Sequence, residues 1–173
     1  MHSLVLHPDC QHGPITDVKA NLAATPDGCN AEFRLLGDIS AIKVPSQAEP
    51  VREDFLWQTT CFEIFWQPDG GQWYREFNLS PSSKWACYDF DDFRLNSRDG
   101  PVEAIAVACT HSDNELVLRA SIASELADPA QIALNAIVED LEGNIQFWAL
   151  RFADGKPEFH SEICRQLRVE RSE

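Results

Sequence analysis

Glu63 and Glu76 are the side chains with the clearest chemical potential. They flank the turn-forming "PDGG" (Pro68–Gly71) of "CFEIFWQPDGGQWYREFN". Asp-Gly favours a two-residue type I′ hairpin turn. A turn centred on Asp69-Gly70 sets Trp66 opposite Trp73, Ile64 opposite Arg75 and Phe62 opposite Phe77 on one face. On the reverse face Phe65 meets Tyr74, Glu63 meets Glu76 and Cys61 meets Asn78, because side chains alternate along a strand. Directly opposed carboxylates destabilise a strand pair, and apolar neighbours worsen this by lowering the local dielectric. A solvated outer face resolves the conflict, as does an arginine from a neighbouring strand (Arg94, Arg119 or Arg151). So does a hard cation such as Ca²⁺ held by the oxygens, or a ligand whose hydroxyls bind the carboxylates while rings stack on its apolar face. Two close carboxylates could also act as acid and nucleophile on a glycoside, where about 5 Å separates the pair in retaining enzymes. The face bearing Phe62, Ile64, Trp66, Trp73, Phe77 and Leu79 reads as core, with the end of Arg75 reaching outward.

The following stretch, "SPSSKWACYDFDDFR", interleaves Trp85, Tyr88, Phe90 and Phe93 with Asp89, Asp91 and Asp92. Sugars present C–H faces to rings and hydroxyls to acids, so this mixture suits saccharide recognition; a sheet with one wet face contains it too. Trp57 in "LWQTT" shares the alternation phase of Cys61 and Glu63, which puts another indole on their side if no bulge intervenes. His160, in "PEFH", could cap, ligate or hydrogen-bond a buried carboxylate. His7, Cys10 and His12 in "HPDCQH" have no second half-site and read as loop. No GxSxG elbow, GxGxxG or GxxxxGK[ST] is present, which removes the hydrolase-elbow, dinucleotide and P-loop readings.

These residues need strands to position them. Short β-rich runs recur along the chain, among them "SLVLH", "AEFRLLG", "AIKVP", "WACYDF", "ELVLRASI", "IALNAIVED" and "IQFWALRF". Turn signals separate them at Pro26–Gly28, Pro68–Gly71, Arg98–Pro101 and Glu142–Asn144. Many short strands joined by tight turns predict an all-β, antiparallel sandwich or barrel. "SEICRQLRVE" predicts one short helix and "SELADPAQ" a helical turn. At 173 residues the expectation is a single domain over 1–173, long enough to bury a core without staples. A formal net charge of −14 repels phosphate backbones and anionic lipid, so neither nucleic acid nor membrane is an expected partner. The N-terminus lacks a basic segment followed by a long apolar one, and six cysteines without a CxxC read as reduced thiols. Both features predict a cytoplasmic location. Oligomeric state is not readable.

The blocks "REDFLWQTTCFEIFW", "YREFNLSPSSKWACYDFDDFR" and "FWALRFADGKPEFH" resemble a bacterial group of DOMON-like proteins related to the family 9 carbohydrate-binding modules. The resemblance runs from "LVLHP" to "PEFH", with Glu158 standing where the group's pattern carries Asp. It implies a β-sandwich of the jelly-roll type that binds haem or sugar and performs no chemistry. Haem-binding members ligate iron through Met with His or Lys. The single Met here is Met1, which disfavours haem and leaves a His/His pair through His160 as its route. In the sugar-binding relatives aromatic residues clamp the ligand, and Trp57, Trp85 and Trp148 lie in the matching motifs. Glu63, Tyr74, Glu76, Asn78 and Arg94 are their polar positions. The expectation is therefore a non-catalytic module for a saccharide or other hydroxylated small ligand, with no obligatory cofactor. Acid–base or glycosidic chemistry through Glu63 and Glu76 is the alternative.

Overall fold

The β-rich runs fold as strands because their branched and aromatic side chains pack on pleated surfaces. A computed structural model describes residues 1–170; positions 171–173 of the expected domain span lie outside the described residues. The strands are β1 (His2–Leu6), β2 (Ile15–Thr25), β3 (Gly28–Gly37), β4 (Cys61–Pro68), β5 (Tyr74–Leu79) and β6 (Trp85–Phe90). They continue as β7 (Arg98–Asp99), β8 (Ala104–His111), β9 (Glu115–Ala123), β10 (Ala130–Glu139), β11 (Ile145–Ala149) and β12 (Leu167–Val169). The fold is all-β. The strands form a curled antiparallel strip in the order β7-β6-β5-β4-β10-β11-β1-β2-β3-β9-β8, with β12 added to β10. β1 makes the corner: His2–Leu4 pair with β2, whereas Val5 and Leu6 pair with β11.

The two halves of the strip close on one apolar core. Phe33, Leu35, Leu116 and Leu118 from one sheet meet Phe62, Ile64, Trp66, Phe77 and Leu134 from the other. The Trp66 indole donates to the Ala127 carbonyl at 2.8 Å, which satisfies its buried N–H. β4 and β5 are buried on both faces. Their reverse face carries a second cluster of Phe65, Tyr74, Phe90, Ile137, Phe159 and Cys164, covered by the chain after β11. Such double burial explains why these strands read as near-continuous apolar runs.

Several expectations are corrected. The β4–β5 register is displaced by two residues: Trp66 faces Arg75, Phe65 faces Glu76, Ile64 faces Phe77 and Glu63 faces Asn78. The turn still closes Gly71 N–H onto the Pro68 carbonyl, with Gly70 at φ +73°, but Asp69 does not take the left-handed conformation that a type I′ turn requires. Asp69 is held from outside the hairpin: its N–H donates to the Pro129 carbonyl, and Gln131 and Arg168 donate to its carboxylate. The Gln67 side chain then bonds the carbonyls of Gly71 and Gln72, replacing ladder bonds. Trp73 falls in this enlarged loop, 38% exposed, outside the core. Arg75 does not reach out; it lies buried against Asp89.

"AIKVP" is no strand: Ile39–Ala41 forms a 3₁₀ turn capped by Asp38, and Ile42 makes an isolated bridge to Asp140. "SEICRQLRVE" gives only the 3₁₀ turn Glu162–Cys164, capped by Ser161, and then β12. "SELADPAQ" contains no helical turn.

Candidate functional site

Register alone builds the site, because residues paired across a ladder share a face. One row across the reverse face reads Asn135, Glu63, Asn78 and Ala86. The adjacent row reads Ala133, Phe65, Glu76, Tyr88 and Asp99. Glu63 and Glu76 are thus diagonal neighbours rather than a facing pair. Diagonal positions lie roughly 7–8 Å apart, against about 5 Å for facing ones, so the repulsion is eased but not removed.

Both carboxylates sit in the floor of a cavity of about 900 Å³. Aromatic rings line it: Phe55 and Trp57 at the exposed rim, with Tyr88, Phe90, Phe147 and Phe159 further round. The rim pair is set by a 3₁₀ turn, Leu56–Gln58, preceded by Phe55 at φ +64°; the two rings meet edge to face at 6.3 Å. Trp57 is therefore on a turn, not on a strand extended from β4. Arg94, His160, Arg98, Asp54 and Asp99 complete the polar lining.

Glu63 is 4% exposed and accepts no hydrogen bond among the described residues. Burial, then the charge of Glu76, raises its pKa well above the ordinary carboxylate range, and the more distant Arg94 offsets this only in part. Glu76 accepts from the Asn78 side chain at 2.8 Å, yet burial outweighs that bond and pushes its pKa up to about 7. Burial thus favours the protonated form of Glu63 over its carboxylate, and Glu76 titrates near neutrality.

A polar chain leads away from Glu76. His160 Nε2 lies 3.6 Å from a Glu76 oxygen, and His160 Nδ1 is 2.7 Å from the Tyr74 hydroxyl. The Arg94 backbone N–H donates to that hydroxyl at 3.1 Å. Tyr74 then directs its own proton to Nδ1, which assigns the ring hydrogen of His160 to Nε2, facing Glu76. Burial, followed by the nearby Arg94 charge, depresses the His160 pKa to about 4, so the imidazole is neutral. The Arg94 guanidinium is taken by Glu158 in a two-point ion pair, at 2.9 and 3.0 Å. Arg94 thus stands near the glutamates without binding them. Arg119 pairs with Glu32 on the other sheet, and Arg151 is exposed.

Of the residues singled out from sequence, Trp57, Glu63, Glu76, Arg94 and His160 border one cavity. Tyr74 and Asn78 lie just beneath, bonded to His160 and Glu76. Trp85 and Trp148 do not join them. Trp85 packs against the main core beside Leu79, and Trp148 is buried in that core opposite Ala136. Among the described residues no three His, Cys, Asp or Glu side chains converge as a cation site.

The fold has a solved counterpart. A Bacteroides uniformis ATCC 8492 protein, provisionally described as carbohydrate-binding, superposes with a TM-score of 0.65 over 94% of this chain and 82% of its own, at 12% identity. That likeness establishes fold and nothing finer. No protein-family profile matches the chain, and no curated protein matches it.

Sequence reasoning missed Asp54, Phe55, Asp99, Phe147 and Phe159, all cavity-lining. Loops, β7 and β11 bring them in, and no short motif signals that. It also missed Asn135, the lone amide inside the apolar run "IALNAIVED". Its side-chain nitrogen and oxygen are fully buried, next to Glu63, with no partner. A single Asn at a position where every neighbour is apolar was the available signal.

Proposed function

We propose that this chain is a non-catalytic, DOMON-like binding module allied to the family 9 carbohydrate-binding modules, and that its cavity receives a saccharide or another hydroxylated ligand. The observation that carries this reading is the pairing of two buried, incompletely bonded carboxyl groups with an aromatic-walled cavity of about 900 Å³. Buried polar groups are ordinarily bonded, so a floor on which Glu63 accepts no hydrogen bond among the described residues is complementary to a ligand rich in donors. Rings at the rim suit the C–H faces of a pyranose. The carbohydrate-binding description of the Bacteroides protein, which shares the fold, supports the same reading. Haem is less well served: the His160 ring packs edge-on against Phe65 and Phe90, and its Nδ1 is engaged by Tyr74.

The test is calorimetric titration with a panel of monosaccharides and short glycans. Saturable binding that is weakened in Trp57→Ala and Glu76→Gln is expected. No binding across the panel, or binding indifferent to both substitutions, overturns the proposal. One observation favours a second reading: two neighbouring buried carboxyls in a cavity, both shifted upward by burial and one of them to about 7, resemble the tuned acids of acid–base catalysis. Turnover of chromogenic glycosides, abolished by Glu63→Gln, would establish that reading instead.

A further inference from the structure

We infer that the ligand of this cavity carries an ammonium group on its hydroxylated frame, as an amino sugar does, and that Glu63 and Glu76 receive that group. The inference rests on the binding reading above and narrows its ligand class.

The pairing of charges around the cavity points there. Every guanidinium at the rim is already matched. Arg94 is held by Glu158, Arg98 by Asp91 at 2.6 Å, and Arg52 by Asp99 and Asp54. The same contacts engage the rim acids, with Asp54 and Asp99 sharing the one Arg52 charge, and Tyr88 adds a hydroxyl donor to Asp54 at 2.6 Å. Among the described residues lining the rim, no cation is left over for an anionic ligand.

The floor is the opposite case. Glu63 and Glu76 are buried together, and among the described residues no guanidinium or ammonium group bonds either carboxyl. His160, 3.6 Å from Glu76, is neutral, and Tyr74 is bonded to it. The buried Cys61 thiol, on the same face, keeps its proton. Arg94 and Glu158 satisfy each other, and Arg165 lies over the Tyr74 and Phe65 rings, at 4.4 and 5.8 Å from their centroids, outside the cavity lining.

A second, independent sign of unmet bonding is Asn135. It stands beside Glu63 in the same row, wholly buried, with both side-chain polar atoms unpartnered. An ammonium group supplies three donors and one positive charge, which the floor carboxyls lack. Aromatic walls add to this, since the faces of Trp, Tyr and Phe rings attract cations. A uronic acid would instead add a third acid with no cation to match it, and a neutral sugar would leave the floor carboxyls desolvated without a counter-charge.

The experiment is titration calorimetry at neutral pH with glucosamine, glucose, N-acetylglucosamine and glucuronate, with the glucosamine run repeated in two buffers of different ionisation enthalpy. Glucosamine is expected to bind about ten-fold or more tighter than glucose or N-acetylglucosamine. Its binding should release protons, because both carboxyls ionise against the ammonium. Separate Glu63→Gln and Glu76→Gln variants, each confirmed as folded by thermal melting, should reduce that preference. Equal affinity for the amino and neutral sugars, binding of glucuronate, or binding without proton release overturns the inference while leaving a saccharide site standing. Absence of binding by all four overturns the inference and the saccharide reading together. Should both variants fail to fold, the buffer comparison on the unaltered chain decides the matter.

Discussion

Arg75 and Glu76 are adjacent in β5, buried to almost the same degree, and point to opposite faces of one sheet. Arg75 is fully provided for. It bonds Asp89 at two points, 2.6 and 2.9 Å, and donates to Ser124 and to the Glu125 carbonyl, each at 2.9 Å. Burial works against its charge, but the Asp89 bonds more than offset that and raise its pKa. Glu76 has one amide bond, a neutral histidine and a second carboxyl as company. Both charges are taken out of water at a cost. In the first region the protein itself offsets it; in the second it does not. The difference separates a structural ion pair from the carboxyls proposed to receive a ligand, and burial alone would not have told them apart.

Breaking the satisfied pair should have the largest effect. Asp89→Asn leaves the Arg75 charge buried without its counter-ion and is expected to cost about 3–5 kcal/mol in urea unfolding. A loss below about 1 kcal/mol would place Arg75–Asp89 in the same class as the glutamates. The next effect is one of pH. The Glu76 folded-state pKa of about 7 lies above its unfolded value of 4.5, so the folded chain favours its protonated form. That contribution is complete below 4.5 and is lost as pH rises toward 7, an amount of roughly 3 kcal/mol. His160 acts in the opposite direction: its folded pKa is about 4 against 6.5, so its contribution is present above 6.5 and lost on acidification. Because His160 is common to both chains, the stability difference between the parent and Glu76→Gln cancels its contribution and reports Glu76 together with its effect on Glu63. That difference should fall across pH 4.5 to 7 in paired urea melts; a constant difference contradicts the account. The smallest effects divide two tryptophans. Trp85→Ala should lower stability by about 2 kcal/mol through lost core packing. Trp57→Ala should change stability by less than about 0.5 kcal/mol while weakening ligand binding.

The division of faces was legible in the sequence because a displacement of two residues preserves strand parity. Glu63, Glu76, Tyr74 and Asn78 share a face under either register. The register itself was not legible. "PDGG" states a turn, but the conformation of Asp69 is fixed by Pro129, Gln131 and Arg168, which are remote in sequence. The same limit explains Trp85 and Trp148. They lie in aromatic, acid-rich motifs, and only packing shows that they serve the inter-sheet core. Trp57 reached the cavity by a route different from the one the alternation implied, through a turn rather than a strand. The partners of the glutamates could not be read at all. Arg94 was a fair candidate, but Glu158, sixty-four residues further along the chain, claims it.

The central claim is that the Glu63/Glu76 face is the binding face and the inter-sheet core is not. One NMR titration compares both in a single spectrum, because the indole N–H signals of Trp57, Trp66, Trp73, Trp85 and Trp148 report separate places. Trp57 borders the cavity, Trp66 and Trp148 lie in the core, and exposed Trp73 sits in the β4–β5 loop. On addition of glucosamine the Trp57 signal should move saturably while those of Trp66, Trp73 and Trp148 stay in place. Saturable movement of Trp73 with Trp57 unmoved, or no movement of any indole, would contradict the account.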